Sequence, residues 1–192
     1  MGVELHGICK AYGELRVLDN LSLVFDYGQN YCLMGPSGSG KTTLLHILMG
    51  LTLPDSGTLT GLSGHRIAPV FQEDRLCENL SAGANIRMAC RQKTAPAAVQ
   101  SLLDRLSLPD CLHRPVRELS GGMKRRIALA RALLSGGDIF LFDEPFSGLD
   151  NDTKLQTMAA VKELCAGHTC IWVTHSEQEA AFFKSNVLFL PA

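Results

Sequence analysis

Gly35-Pro36-Ser37-Gly38-Ser39-Gly40-Lys41-Thr42 fits the spacing G-x-x-x-x-G-K-[ST] and lies between two apolar stretches, Tyr31-Cys32-Leu33-Met34 and Thr43-Leu44-Leu45-His46-Ile47-Leu48-Met49. Glycines so placed let the backbone wind tightly, and several N–H groups then converge at the N-terminus of the following helix, whose dipole adds positive potential. Such a loop cradles phosphate. Lys41 is expected to reach the β- and γ-phosphates of a nucleotide, and Thr42 to give its hydroxyl to Mg²⁺, a hard cation that takes oxygen ligands. Thr43 joins Gly35, Pro36, Ser37, Gly38, Ser39 and Gly40 as a candidate nucleotide contact. The plain alternative is a flexible Gly/Ser turn, and the strand-like run before it and the helix-like run after it argue against that.

Working outward, residues 3–10 and 21–25 alternate apolar and polar, with a turn near Gly13 between them, and predict antiparallel β structure. Residues 42–49 are apolar on nearly every face, as in a buried helix, and Gly50 ends them. Pro54-Asp55-Ser56-Gly57 reads as a turn, followed by short strands at 57–60 and 67–71. The character becomes helical over 79–118, where Val99, Leu102, Leu103 and Leu106 share one helix face behind Pro96. Ser120 precedes another helix striped by Met123, Ile127, Ala130 and Leu134. The apolar run Ile139-Phe140-Leu141-Phe142 predicts a central buried strand. Helices at 150–165 and 176–183 and strands at 169–174 and 187–190 complete an alternation that predicts a mostly parallel sheet.

The chain has 192 residues, enough for one well-buried core, so a single domain over 1–192 is expected, with an inserted helical subdomain at about 79–135. A net charge of −1 gives no general attraction to nucleic acid, which is therefore not an expected partner. The seven cysteines are scattered, odd in number and never spaced C-x-x-C, which reads as free thiols in a reducing cytosol. No apolar run approaches the ~20 residues that span a bilayer, and the N-terminus does not resemble a signal peptide.

Two further stations carry chemistry. Asp143 and Glu144 follow the apolar run 139–142, at the carboxyl end of the predicted strand, where open α/β sheets bind ligands. Asp143 is expected to orient Mg²⁺ through a water, and Glu144 to polarise an attacking water. A helix-capping acid pair beside Pro145 is the alternative. In Leu119-Ser120-Gly121-Gly122-Met123, Ser120 is a helix N-cap and the glycines bare backbone amides, which makes a second anion site or simply a Ser-capped helix. The run Lys124-Arg125-Arg126 reads as a solvated helix face.

The order of these stations resembles the ATP-binding cassette (ABC) family, whose signature is L-S-G-G followed usually by Gln. The resemblance implies an α/β P-loop NTPase (RecA-like) fold, with a mostly parallel core sheet, a small antiparallel β region and the helical insertion. It implies that Gln72 touches Mg²⁺ and links two subdomains, that Asp150 in Ser147-Gly148-Leu149-Asp150 crosses to an opposite subunit, and that His175 reads the γ-phosphate. Tyr12 resembles the aromatic that stacks on adenine, although a ring beside a β turn also serves as core packing. It further implies an ATPase that works as a head-to-tail pair with a second copy or related cassette. Each ATP would lie between Lys41 and Thr42 of one chain and Ser120, Gly121 and Gly122 of the other.

In that family such a chain acts from the cytoplasmic face of the cell membrane on separate permease subunits, docked near residues 72–80, with an extracytoplasmic substrate-binding protein as a further partner. Met123 stands in place of the usual Gln, Ser176 where Asp commonly follows the switch histidine, and nine residues lie between Gly57 and Ile67, so the small β region is trimmed. His113-Arg114-Pro115-Val116-Arg117-Glu118 is closer to importers than to exporters, and Phe71-Gln72-Glu73-Asp74 and Gly121-Gly122-Met123-Lys124 are similar to cassettes of the nitrate, sulfonate and taurine import group. The competing class is a non-transport ABC ATPase acting on a soluble or ribosomal partner.

Overall fold

Alternation builds the first hairpin: β1 (Gly2–Tyr12) pairs antiparallel with β2 (Leu15–Asp26), and β4 (Ser56–Thr60) pairs on its other side, giving the order β2-β1-β4. The structure, a computed structural model, describes residues 1–190. Val3 and Leu5 point inward at period two, and then a bulge at Gly7, with φ of 60°, slips the register so that Ile8 enters the core in its place. Ser56, expected in a turn, instead opens β4, one residue ahead of the strand expected from Gly57. A Cβ on Gly57 would meet the Gly7 carbonyl oxygen at 2.5 Å, so the bulge admits only glycine opposite it.

Two compact units make up the chain, Met1–Ile67 with Asp138–Asp143 and Gly167–Ala192, and Ala68–Gly137 with Glu144–Ala166. Besides the antiparallel sheet, the first unit holds parallel strands in the order β6 (Ile139–Asp143), β7 (Thr169–Val173), β3 (Asn30–Met34) and β8 (Asn186–Phe189). Helix α1 (Lys41–Leu48) follows β3, and its Leu44, Leu45, Ile47 and Leu48 share one core with Val3, Leu5 and Phe25 of the antiparallel sheet and Leu33, Leu141 and Ile171 of the parallel one. Full burial of each such side chain is worth about 1.5–3 kcal/mol. The alternate residues of β6 and β7 face the other way, where Phe142, Trp172 and Phe183 stack with ring centroids 4.0 and 4.3 Å apart. Phe183 ends helix α6 (Glu177–Phe182).

The second unit is helical after β5 (Ile67–Val70), the strand on which the chain enters it. Helices α2 (Ala82–Arg87), α3 (Pro96–Arg105), α4 (Gly121–Leu133) and α5 (Asn151–Leu164) start on sequence-readable caps. Ser81 accepts from Ala84 N, Pro96 sits in the first turn, Ser120 accepts from Met123 N and Asp150 from Thr153 N.

Cys32 is buried in β3, and burial, reinforced by the charge of Glu179, pushes its thiol up to about 11 from 9.0. The folded state therefore keeps a proton that the unfolded chain releases first. That contribution is whole below pH 9.0 and is lost as pH rises toward about 11. In urea melts, Cys32→Ala is expected to lose stability less steeply than the parent over that interval; equal slopes would show that this thiol contributes nothing.

Candidate functional site

The phosphate-loop residues lie in the first unit, where strand register lines up their neighbours. Leu33 pairs with Val173, and Val173 with Asp143, so the ends of β3, β7 and β6 form one row. The loop leaves two residues after Leu33, and His175 stands two residues after Val173. The expected stations Gly35, Asp143 and His175 thus emerge from one carboxyl edge of the parallel sheet, the place where such sheets bind ligands.

Three glycines shape the loop. Gly35, Gly38 and Gly40 have φ of 148°, 85° and 85°, a region that disfavours any Cβ. A Cβ on Gly35 would strike the Leu190 carbonyl, and one on Gly40 would come within 2.6 Å of Leu18 Cδ2. Gly40 is also the N-cap of α1 and carries no side chain to block its amides. Lys41, buried, curls back so that its Nζ donates to Gly35 O at 2.9 Å, Pro36 O at 2.7 Å and Ser39 Oγ at 3.4 Å. Its charge therefore sits inside the loop, held by neutral acceptors.

Thr42 donates its hydroxyl to Asp143 Oδ2 at 3.0 Å across 101 residues of sequence. A hydroxyl and a carboxylate beside a phosphate cradle form an oxygen donor set of the kind Mg²⁺ accepts, the remaining positions being left to phosphate and water. Tyr12 is exposed rather than packed in the core, with Lys10 Nζ 5.5 Å from its ring centroid. The ring is thus exposed, with an ammonium group over one face. His175 is exposed after buried Thr174, whose hydroxyl donates to buried Glu179 at 2.6 Å; Ser176 Oγ, in the place of the commoner Asp, caps α6 by accepting from Glu179 N.

Gln72, Ser120, Gly121, Gly122, Glu144 and Asp150 belong to the second unit. Ser120 caps α4 by accepting from Met123 N, and Gly121 is exposed with no neighbour within 4 Å of where a Cβ would sit. Asp150 caps α5, and the Thr153 backbone N–H it accepts holds its carboxyl below the usual carboxylate range. Glu144 adopts φ of 47°, a left-handed conformation that costs a non-glycine residue roughly 1–2 kcal/mol. Its carbonyl accepts from Ser147 N at 3.1 Å.

The charge run on α4 is not a solvated face. Arg125 is 4% exposed, and its guanidinium donates to Phe71 O, Gln72 O, Asp74 Oδ1, Glu144 O and Pro145 O. Arg126 donates to Leu106 O and Ser107 O, and Lys124 pairs with Glu78 at 2.8 Å. The physical reason is that acceptors from distant segments converge on this helix and compensate the buried charge. In the fold, Ile127, Ala128, Leu129, Ala130 and Ala132 are buried as well, so α4 has little solvated face to offer an arginine.

A family model described as ABC transporter matches residues 18–147, across the phosphate loop, the signature and Asp143-Glu144. The chain belongs to this family. The ABC cassette is 37% identical to the sulfate/thiosulfate import ATP-binding protein CysA 2 of Chromobacterium violaceum, over 99% of this chain and 56% of that protein. It is 37% identical to the Nod factor export ATP-binding protein I of Ralstonia nicotianae, over 93% and 60%. It is also 37% identical to the aliphatic sulfonates import ATP-binding protein SsuB 1 of Nocardia farcinica, over 99% and 78%. Against the first two, then, the cassette spans little more than half of the relative's length. The dimeric structure of MJ0796, a bacterial ABC transporter cassette, superposes with a TM-score of 0.87 at 28% identity, covering 98% of this chain and 94% of that one. The cassette thus has the ABC ATPase fold, a P-loop NTPase with a parallel sheet and a small antiparallel one. Among the described residues no helix is long and apolar enough to cross a membrane.

Proposed function

We propose that this chain is the ATP-hydrolysing subunit of an ABC transporter and powers import through separate permease subunits. The observation that carries the reading is the phosphate loop itself, with Lys41 inside it and Thr42 joined to Asp143 beside it. On binding ATP, Lys41 exchanges loop carbonyls for β- and γ-phosphate oxygens, which are stronger acceptors because they are charged. Thr42, Asp143 and Gln72 would hold Mg²⁺, which supplies charge neutralisation on the phosphates. Glu144 accepts the proton of the attacking water, and His175 reads the γ-phosphate from the end of β7. Tyr12 offers its exposed face to adenine.

Ser120, Gly121 and Gly122 have no phosphate of their own chain assigned to them, and we place them against the nucleotide of a second copy. The dimeric MJ0796 structure supports that pairing. Asp150 then lies near the crossing between subunits, and the helical segment at about 79–135 serves as the inserted subdomain of one nucleotide-binding domain. Similarity to SsuB 1, together with the importer-like segment 113–118, supports import, with an extracytoplasmic substrate-binding protein as a further partner and the chain working on the cytoplasmic face of the membrane. Tagging the chain in its native cell and identifying what copurifies tests the transport reading. Integral membrane subunits are expected, whereas only soluble or ribosomal partners would replace it with the non-transport ABC ATPase.

A further inference from the structure

Arg125 is a buried cation that neither the phosphate loop nor the signature requires, yet it touches the backbone of two other stations in its unit, Gln72 and Glu144. Its Nη1 donates to Phe71 O, to Gln72 O at 3.2 Å and to Asp74 Oδ1 at 3.2 Å, while its Nε donates to Pro145 O at 3.0 Å and its Nη2 to Glu144 O. The partners lie 51 to 54 residues before it and 19 to 20 after it. A guanidinium is suited to this because its donors leave a rigid plane in fixed directions, so one side chain sets the angle between two chains that accept from it. Lysine, with three donors on one flexible point charge, cannot span both.

The two segments it joins are both unusual. Glu144 is held at φ of 47°, and Arg75, at the far end of the Gln72 segment, has φ of 46° with its guanidinium carbon 3.8 Å from the Phe71 ring centroid. Arg131, further along α4, grips the same segment through Asp74 O and Arg75 O. Its bonds to that segment fix one chain, while those of Arg125 fix two. Arg125 also stands three residues after Gly122, on the helix whose N-terminus carries the signature.

We propose that Arg125 is a positioning residue for hydrolysis, holding the Gln72 backbone, the Glu144 backbone and the signature helix in one frame. It acts through the backbones it holds. A change at the signature end of α4 therefore reaches Gln72 and Glu144 together, through one side chain. This rests on the hydrolytic roles proposed above for Gln72 and Glu144, and the test separates the two.

Arg125→Met, Arg125→Lys and, as a control in the same helix, Ile127→Val are compared in the full chain by hydrogen exchange, Mg-ATP titration and single-turnover hydrolysis. Arg125→Met is expected to speed exchange in peptides covering 71–75 and 144–148 together, to leave the dissociation constant for Mg-ATP within about twofold, and to slow hydrolysis by about 10²-fold, the scale of a small misplacement of reacting groups. Arg125→Lys keeps the charge and serves if the methionine variant fails to fold, and it is expected to show the same paired loosening to a smaller degree. Ile127→Val, a core change, moves neither pair of peptides selectively. Exchange that changes in one segment only, or in neither, overturns the proposal, as does hydrolysis per folded molecule that stays at the parent rate. A parent chain that binds Mg-ATP without hydrolysing it refutes the hydrolytic reading instead, and the paired exchange still decides the role of Arg125.

Discussion

Glu144→Gln is expected to bind Mg-ATP as the parent does and to hydrolyse it about 10²–10⁴-fold more slowly, the range typical of losing a general base. The substitution keeps the shape of the side chain and removes its ability to accept a proton. It leaves the Glu144 carbonyl, which Arg125 and Ser147 N hold, untouched, so the backbone has no reason to move. Neither does Lys41, which lies in the other compact unit and makes its bonds within the loop. Binding and chemistry therefore separate. The trapped ATP state should be the closed dimer, visible as a doubling of mass by light scattering when Mg-ATP is added. Turnover at the parent rate would move the proton-accepting role elsewhere.

Lys41→Ala is expected to weaken Mg-ATP binding by about 30- to 1000-fold, because an ammonium bonding two phosphates contributes roughly 1.5–3 kcal/mol per hydrogen bond, against neutral loop acceptors that it gives up. The loop carbonyls of Gly35 and Pro36 lose their donor at the same time. Pro36 is exposed and Gly35 half-buried, so water can replace the lost donor and the loss of fold stability stays small. Calorimetric titration reads the affinity directly, and unchanged affinity would reject the assignment of this loop as the phosphate cradle.

Much of this was legible in the sequence because its causes are local. A period-two pattern made β1 and β2, an unbroken apolar run made β6, and Pro96, Ser120 and Asp150 marked the starts of their helices. The phosphate loop is local too, since its glycines act on their own backbone. What was hidden arises between segments. Gly57 reads as the end of a turn and the start of a strand, but that the strand needs glycine there shows only when the bulge at Gly7 stands opposite it. Arg125 reads as one of three surface charges, because the carbonyls that pull it inward come from residues 71–72 and 144–145 and leave no mark near position 125. Charge alone predicts exposure; only the fold shows that the acceptors arrive.

The central claim is that each chain carries half of two ATP sites, Lys41 and Thr42 on one wall and Ser120 to Gly122 on the other. It is tested most directly by mixing two inactive variants. Lys41→Ala spoils the first wall. Gly122→Asp places a carboxylate on the second, and its Cβ meets only the end of the Leu149 side chain at 3.3 Å and Gly148 O at 3.8 Å, so the chain still folds. Each variant alone has no intact site, but a mixed dimer contains one, built from the loop of the Gly122→Asp chain and the signature of the Lys41→Ala chain. ATP hydrolysis by the mixture is predicted to rise clearly above the sum of the two separate rates, and a mixture no more active than that sum would contradict the shared site.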